Sequence, residues 1–368
     1  MFARQDHDDH RRLRRAAAAA VGAAAVILPL FAAASAQAAP MTTPTFTSLT
    51  LVNGWTKYDS TVATPAVTSI SGIVHLKGAI KTKGVNPVAF TLPAGDRPAT
   101  RVFVPVDMCD ATNGRLDIRP SGQVTVEAEA FVWKNAQCFT SLDGVTFATS
   151  ASSFTPVTLV NGWTSYGAGT ASPAARVISG IIHLEGAIKT NGSNAVAATL
   201  PAGDRPARPV RIPADMCNAT NGQLYIFPSG AVQVAPDLSF TDATCFTSLD
   251  GVSFATSASS FIPLTLENGW KSFGFGFSGP AVRVVSGIVQ LEGVIQTSDV
   301  NPVAFTLPAA DRPAHDVYVK VPVGDDPPTH NNGRLHISPS GSVTVQVEGE
   351  NLAPAMAFTS LDDVSFAR

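Results

Sequence analysis

Side chains that could carry catalysis are few in this 368-residue chain, and they form no recognisable catalytic constellation. Catalysis requires a nucleophile or an acid–base pair held beside a group that orients it. Beyond residue 38 the only histidines are widely spread along the sequence: His75, His183, His315, His330 and His336. The sequence therefore predicts a protein that is not an enzyme and needs no cofactor.

One short segment is a weak candidate for binding a cation. Asp325 and Asp326 lie near His330, and carboxylates are the ligands that hard cations prefer. However, Pro327-Pro328 interrupts the segment, and the spacing is not that of a cation-binding loop. We therefore predict no metal site.

The elements that must position these residues recur three times along the chain. Asn-Gly-Trp, Asp-Arg-Pro-Ala and Phe-Thr-Ser-Leu-Asp appear in the same order in each copy, beginning at Asn53, Asp96 and Phe139, at Asn161, Asp204 and Phe246, and at Asn268, Asp311 and Phe358. Self-similarity over a long period marks repeated structural units. We divide the chain into residues 46–153, 154–260 and 261–368, called here the first, second and third repeat. At roughly 100 residues, each repeat is long enough to bury a core of its own.

The cysteines are predicted to form disulfides. The first repeat contains Cys109 and Cys138, the second contains Cys217 and Cys245, and the third has no cysteine, so both positions change together. Two cysteines per repeat, without a companion Cys-x-x-Cys or His-x-His pattern, are too few ligands for zinc. We expect Cys109–Cys138 and Cys217–Cys245 bridges, which an oxidising compartment would permit.

The periodicity within each repeat is that of β-strands. Apolar and polar residues alternate from Val74 to Lys81, as they do in Arg115–Arg119 and Gln123–Glu127, on either side of Pro120-Ser121-Gly122. No sustained helical period occurs beyond residue 38. The sequence predicts an all-β protein made of three tandem antiparallel β-sandwich domains, jelly-roll-like, with about seven or eight short strands each.

Two kinds of residue recur unchanged in all three repeats and are interpreted as structural: Arg97, Arg205 and Arg312, and Trp55, Trp163 and Trp270. An arginine before proline at a strand end can pair with a carboxylate or a backbone carbonyl. A tryptophan can stack on a sugar ring, but one that follows Asn-Gly more often fills the edge of a core.

His75 and His183 occupy equivalent positions in the first two repeats, where the third has Gln290. Strand alternation places this position on the outward face. We interpret the two histidines as solvent-facing or interface residues.

One hairpin combines a constant core with a varied outer face. Its inward leucine and isoleucine are identical in all three repeats, whereas its outward positions differ: Arg115, Asp117 and Arg119; Gln223, Tyr225 and Phe227; Arg334, His336 and Ser338. A varied face on a fixed core suggests diversified recognition, and an exposed apolar patch such as Tyr225 with Phe227 is typical of a contact surface. We predict ligand-binding roles for Arg115, Asp117, Arg119, Tyr225, Phe227, Arg334 and His336. Drift on a solvent face and contact between repeats are the alternatives.

Composition excludes two broad classes of protein. Charged residues make up 14% of the chain and the formal net charge is −3, so the electrostatic attraction on which nucleic-acid binding depends is absent. A hydrophobic fraction of 45% argues against intrinsic disorder.

The first 38 residues resemble a secretory signal peptide. Arg11, Arg12, Arg14 and Arg15 precede an apolar, alanine-rich stretch that ends at Ala36-Gln37-Ala38, a small-residue cleavage pattern. A retained membrane anchor is the alternative. We expect residues 1–38 to be removed on export, by either the Sec or the twin-arginine route, and residues 39–45 to form a lead-in. The product would be extracellular and would not span a membrane.

Four segments in this order resemble the C-terminal receptor-binding modules of bacteriophage tail fibres: Leu51–Tyr58, Gly72–Gly78, Leu92–Ala99 and Ser141–Phe147, with counterparts in both later repeats. The resemblance covers most of each repeat and implies a compact β-sandwich that binds surface glycans or other receptors and commonly assembles as a trimer. Three copies in one chain, the leader and the cysteine pairs depart from that family.

These observations predict a secreted binding protein that recognises a surface glycan or another cell-envelope polymer. If related modules trimerise, three tandem copies could pack around a pseudo-threefold axis within a monomer. The varied faces would then be contacts between repeats. A structural or assembly protein of the cell exterior is the alternative function.

Overall fold

The computed structural model describes residues 44–150, 153–257, 260–324 and 332–368, which belong to one compact unit. The predicted signal peptide, most of the lead-in and the candidate cation segment with Asp325, Asp326 and His330 lie outside the described residues.

The described chain is nearly all β, as the sequence predicts. In the first repeat the strands are β1 Thr47–Ser48, β2 Trp55–Lys57, β3 Ala66–Ile70, β4 Ile73–Lys77, β5 Ala79–Thr82, β6 Val88–Thr91, β7 Val102–Asp107, β8 Asn113–Ile118, β9 Gln123–Ala128, β10 Thr140–Ser141 and β11 Thr146–Ala148. One short helix, α1 Trp133–Cys138, precedes β10.

The second repeat follows the same plan with one additional short strand. Its strands are β12 Thr155–Pro156, β13 Thr158–Leu159, β14 Trp163–Ser165, β15 Ala174–Ile178, β16 Ile181–Glu185, β17 Ala187–Thr190, β18 Val196–Thr199, β19 Val210–Asp215, β20 Asn221–Ile226, β21 Ala231–Pro236, β22 Thr247–Ser248 and β23 Ser253–Ala255. Helix α2 spans Phe240–Cys245.

In the third repeat the strands are β24 Ile262–Pro263, β25 Lys271–Ser272, β26 Ala281–Val285, β27 Ile288–Glu292, β28 Val294–Gln296, β29 Val303–Thr306, β30 Val317–Pro322, β31 Asn332–Ile337, β32 Ser342–Val347, β33 Thr359–Ser360 and β34 Ser365–Ala367. Helix α3 spans Ala353–Ala357. Single turns of 3₁₀ helix occur at Ala94–Asp96, Cys109–Ala111, Glu129–Phe131, Ala202–Asp204, Cys217–Ala219, Ala309–Asp311 and Glu348–Glu350.

The strands of each repeat form small antiparallel sheets with the same order of neighbours. In the first repeat the orders are β1-β3-β4-β11, β2-β5-β10 and β6-β9-β8-β7. The second repeat has β12-β15-β16-β23, β14-β17-β22 and β13-β18-β21-β20-β19, and the third has β24-β26-β27-β34, β25-β28-β33 and β29-β32-β31-β30. The predicted hairpin is β8–β9, in which Leu116 pairs with Val126.

The strands are shorter and more numerous than the alternation predicts, and Gly78 shows why. It separates β4 from β5, which belong to different sheets, although the alternation continues unbroken through this point. Its φ of +93° turns the chain out of extended geometry. Alternation records which side chains are buried, but it does not register a corner between two sheets.

Each repeat surrounds its own hydrophobic cluster, and the recurring tryptophans belong to these clusters. Trp55, Trp163 and Trp270 are buried, and each indole Nε1 donates to a backbone carbonyl, those of Asn86, Asn194 and Asn301. The recurring arginines are also structural. The Nε atoms of Arg97, Arg205 and Arg312 donate at 3.0 Å to the backbone oxygens of Leu92, Leu200 and Leu307.

The predicted disulfides are confirmed. Cys109 bonds to Cys138 and Cys217 bonds to Cys245, so each bridge ties the turn after β7 or β19 to the end of a short helix. Ala357 ends helix α3 in the third repeat, where the other two have cysteine. No helix in the described ranges is long and apolar enough to cross a membrane.

The corner at Gly78 yields a first prediction. A Cβ at this position would lie 2.6 Å from the backbone oxygen of Ala63, in a backbone conformation that costs an L-residue about 1–2 kcal/mol on its own. We expect Gly78→Ala to lower the free energy of unfolding by at least that amount in urea denaturation. Gly95→Ala is the control, since its Cβ would meet nothing within 4 Å. Equal stabilities for the two variants would contradict this account.

Candidate functional site at the junction of the repeats

One recurring motif forms hydrogen bonds between repeats. It is Phe-Thr-Ser-Leu-Asp, which begins at Phe139, Phe246 and Phe358. Ser141 of the first repeat donates its hydroxyl to the backbone oxygen of Tyr318 in the third at 2.6 Å. Ser248 of the second donates to Phe103 of the first at 2.7 Å, and Ser360 of the third donates to Arg211 of the second at 2.8 Å. The acceptors are the second residues of β30, β7 and β19. These bonds link the repeats in a closed cyclic order.

The aspartate of the same motif joins its own repeat to the neighbour. Asp143 accepts the backbone N–H of Gly78 at 2.8 Å through one oxygen and that of Tyr318 at 3.3 Å through the other. Asp250 and Asp362 accept the same pairs of bonds, from Gly186 and Phe103 and from Gly293 and Arg211. Burial raises the pKa of each of these three carboxyl groups to about 7. We call the serine and aspartate of each motif the clasp.

An aromatic contact accompanies each clasp. The rings of Phe139 and Tyr318 lie 5.1 Å apart, as do those of Phe246 and Phe103, in edge-to-face geometry. At the third contact, Phe358 faces the guanidinium of Arg211 at 4.2 Å. Ring and cation contacts therefore replace one another at equivalent positions, and the clasp serine and aspartate stay constant.

The predicted ligand residues Arg115 and Arg334 are contacts between repeats. Arg115 bonds Asp215 of the second repeat at 3.0 Å, and Arg334 bonds Asp107 of the first at 3.1 Å. The third equivalent position is Gln223, which is buried and has no hydrogen-bond partner for its amide among the described residues. Pro322 stands where the other repeats have the acceptor aspartate.

The other predicted ligand residues are less exposed than alternation indicates. Asp117 is buried, with 1% of its surface exposed, because Arg101 covers it and bonds it twice at 2.7 Å. His336 stacks on Tyr318 and lies 3.2 Å from Asp316.

Among the remaining predicted positions, only Arg119 is exposed. It lies 3.6 Å from the Asp117 carboxylate. Tyr225 packs against the guanidinium of Arg211 at 4.2 Å, and Phe227 is half-buried at the hairpin turn. These positions do not form one exposed face, because neighbouring side chains and other repeats cover several of them. Whether any of these residues binds a ligand stays a prediction.

A cavity of about 330 Å³ lies where the three repeats meet, and we call it the junction cavity. Its polar lining includes Glu129 and Asn135 of the first repeat, Asp237 of the second, and Asn332 and Glu348 of the third. Val132 and Leu238 contribute apolar surface. Burial raises the pKa of Asp237 to about 7, and the nearby carboxylates of Glu129 and Glu348 add to that shift.

Buried oxygens gather beside the junction cavity. The Oδ1 atoms of Asn113, Asn221 and Asp237 have no hydrogen-bond partner within the part of the chain that the structure describes. In the third repeat, the equivalent asparagine oxygen, that of Asn332, accepts a bond from Lys320 Nζ at 2.8 Å. Lys320 is buried, and its charge is surrounded by Glu129, Asp237, Asp107 and Glu348.

Two other cavities lie between repeats. One of about 320 Å³ is lined by Asp110 of the first repeat and by Arg334, Gln346 and Glu350 of the third. A smaller one, of about 50 Å³, brings together His75, His183, Gln290 and Arg283. Because residues of all three repeats line this cavity, both histidines lie at an interface between repeats. Burial lowers the pKa of His75 to about 4 and that of His183 to about 3.

Carboxylates and amides converge on one cavity, and no group of three or more His, Cys, Asp or Glu residues in the described ranges could hold a metal ion. Comparisons with protein-family models, with curated proteins and with solved structures find no significant match to this chain.

The clasp predicts a measurable loss of stability in a serine variant. Ser141→Ala removes the hydroxyl that donates to the backbone oxygen of Tyr318, so the free energy of unfolding should fall by about 1–3 kcal/mol. Ser121→Ala is the control, because Ser121 is exposed and makes one weak local bond, and it should change stability by less than about 0.5 kcal/mol. If Ser141→Ala and Ser121→Ala changed the free energy of unfolding equally in thermal and urea denaturation, that result would count against the clasp.

The buried carboxyl groups also predict a dependence of stability on pH. Folding raises the pKa of Asp143, Asp250 and Asp362 from 3.8 to about 7. Their contribution to the free energy of unfolding is therefore complete below the unfolded-state pKa and is lost as the pH rises through 7. The pKa values of His75 and His183 are lowered, so their contribution is lost only as pH falls below 6.5. Urea midpoints should therefore decrease between about pH 6.5 and about pH 8. Asp143→Asn should make that decrease shallower, and an unchanged or rising midpoint would contradict the assignment.

Proposed function

We propose that this chain is an exported, non-catalytic binding protein, whose three repeats act as one rigid head with pseudo-threefold packing. The ligand class that we propose is a surface glycan or a related cell-envelope polymer. Its ligand would bind at the end of the head that contains the junction cavity, and not on the varied hairpin face.

The closed ring of clasps is the observation that supports a single head. In each clasp, the serine hydroxyl and the aspartate carboxylate of the motif form hydrogen bonds with the backbone of the second residue of a strand in another repeat. Such a ring keeps the three repeats in a fixed relation, so that groups from all of them can bind one ligand. Binding groups held on a rigid scaffold lose less conformational freedom when the ligand is captured.

The residues around the junction cavity suit a polyhydroxylated ligand. Carboxylate and amide side chains accept and donate hydrogen bonds to hydroxyl groups, and three repeats contribute them here. Phe131, between the lining residues Ala130 and Val132, is 82% exposed, and Leu238 is 74% exposed. Exposed apolar side chains beside convergent polar groups are typical of a binding surface.

A second candidate is a structural or assembly protein of the cell exterior. The pairing of Arg115 with Asp215 and of Arg334 with Asp107 favours it, because these varied residues serve contacts between repeats. On this hypothesis the junction cavity would have no glycan ligand, and partner chains would cover the exposed apolar residues.

The test is a glycan-array screen of the purified chain, followed by calorimetry with the best glycan on the array. The double variant Phe131→Ala with Leu238→Ala should weaken that binding roughly tenfold or more, since it removes apolar contact at the cavity. Phe275→Ala is the matched control, because Phe275 is 85% exposed and lies outside the junction cavity.

The outcomes separate the two functions. Glycan binding that is weakened only by the Phe131 and Leu238 changes supports the proposal. Glycan binding that all variants retain would place the ligand elsewhere and reject the junction cavity. An empty array, together with self-association or binding to envelope proteins, would favour the assembly function.

A further inference from the structure

Two reactive side chains meet beneath the junction cavity in the third repeat. Lys320 on β30 and Asn332 on the neighbouring strand β31 are both buried, and Lys320 Nζ lies 2.8 Å from Asn332 Oδ1. Because a carbonyl bond is about 1.2 Å long, Nζ lies within about 4 Å of the amide carbon. An amine is thus held close to a carbonyl carbon that it could attack.

Carboxylates adjoin the nitrogen that would leave. Asn332 Nδ2 donates to Glu348 Oε2 at 2.8 Å and to Glu129 Oε2 at 3.3 Å. A carboxyl group in this position can hold a proton for the departing nitrogen. The amide of Asn332 therefore contacts both the amine that could attack it and the carboxylates that could carry a proton.

The first two repeats lack this arrangement. Pro105 and Pro213 occupy the position of Lys320. The asparagine is nevertheless present in all three repeats, because Asn113 and Asn221 begin the strands equivalent to the one that Asn332 begins. Those repeats have instead a disulfide that begins just after β7 or β19, whereas the third has no cysteine. The lysine thus occurs only in the repeat without a disulfide, on the strand pair next to the missing bridge.

We propose that Lys320 and Asn332 form an intramolecular amide bond that covalently links β30 to β31 in place of the absent disulfide. Lys320 first gives one proton to water. The neutral Nζ attacks Cγ of Asn332, a second hydrogen moves to Nδ2 with the help of the adjoining carboxylates, and the bond between Cγ and Nδ2 breaks. Ammonia leaves and takes up a proton from water. The reaction consumes no oxidant, reductant or other reagent.

The surroundings of the lysine favour the neutral amine that attack requires. Burial lowers the pKa of Lys320, against the opposing effect of the nearby carboxylates. A desolvated lysine is a stronger nucleophile at neutral pH than an exposed one. This inference concerns the chain itself and does not depend on the ligand of the junction cavity.

The experiment is mass spectrometry of the full-length protein and of its tryptic peptides after reduction of the disulfides. Loss of ammonia lowers the mass by about 17 Da, and an amide on Nζ removes the lysine charge that trypsin recognises. We expect residues 284–334 to be recovered as one peptide, about 17 Da lighter than the sequence mass and uncut after Lys320.

Two asparagine variants provide the comparison. Asn332→Ala should restore cleavage after Lys320 and the full mass, because the acceptor is gone. Asn113→Ala, at the equivalent position of the first repeat, should leave the bond in place. Complete cleavage after Lys320 at full mass in the wild-type chain would overturn the proposal. The lower mass with cleavage after Lys320 retained would also overturn it. Cyclisation of Asn332-Gly333 to a succinimide releases ammonia too, but it leaves Lys320 free.

Discussion

The clasp between repeats is the interaction on which the rest of the structure depends. Asp143, Asp250 and Asp362 are buried, and burial of a carboxyl group is costly unless hydrogen bonds replace the water it has lost. At each aspartate one of those bonds comes from another repeat, as does the acceptor of each clasp serine. A repeat separated from its neighbours would leave these groups unpaired or return them to water. The three cores are therefore distinct, but the polar groups around them are satisfied jointly.

Joining three copies in one chain lets each contact change separately, and several have done so. Arg115 and Arg334 pair with aspartates, whereas the third set of equivalent positions holds Gln223 and Pro322. Gly144 and Gly251 recur in the first two repeats, but the third has Asp363, which accepts two bonds from Ser253 of the second repeat. A homotrimer of identical chains must repeat every substitution three times, whereas a single chain need not. The single buried Lys320, with four carboxylates around it, is such an asymmetric feature.

Much of the fold could be predicted, because it follows from the local alternation of apolar and polar residues, from turn residues and from the positions of the cysteines. Alternation identified the β-strands, Pro120-Ser121-Gly122 identified the hairpin turn, and the joint loss of two cysteines identified the disulfides. The exposure of the varied residues could not be predicted in the same way. Alternation separates the two faces of a strand, but it cannot say that a side chain of the same repeat covers the outer face, as at Asp117, or that another repeat does, as at Arg115. The recurrence of Ser-Leu-Asp was visible, but its partners lie more than 140 residues away in the chain.

What the sequence determined by itself is the all-β class, the threefold repetition of motifs and the cysteine pairing, since these follow from short-range pattern and from residue identity. The tertiary structure alone decided which polar residues lie between repeats, where the junction cavity forms, and that Lys320 contacts Asn332. These depend on how strands from distant segments approach one another, and a one-dimensional pattern does not specify that approach.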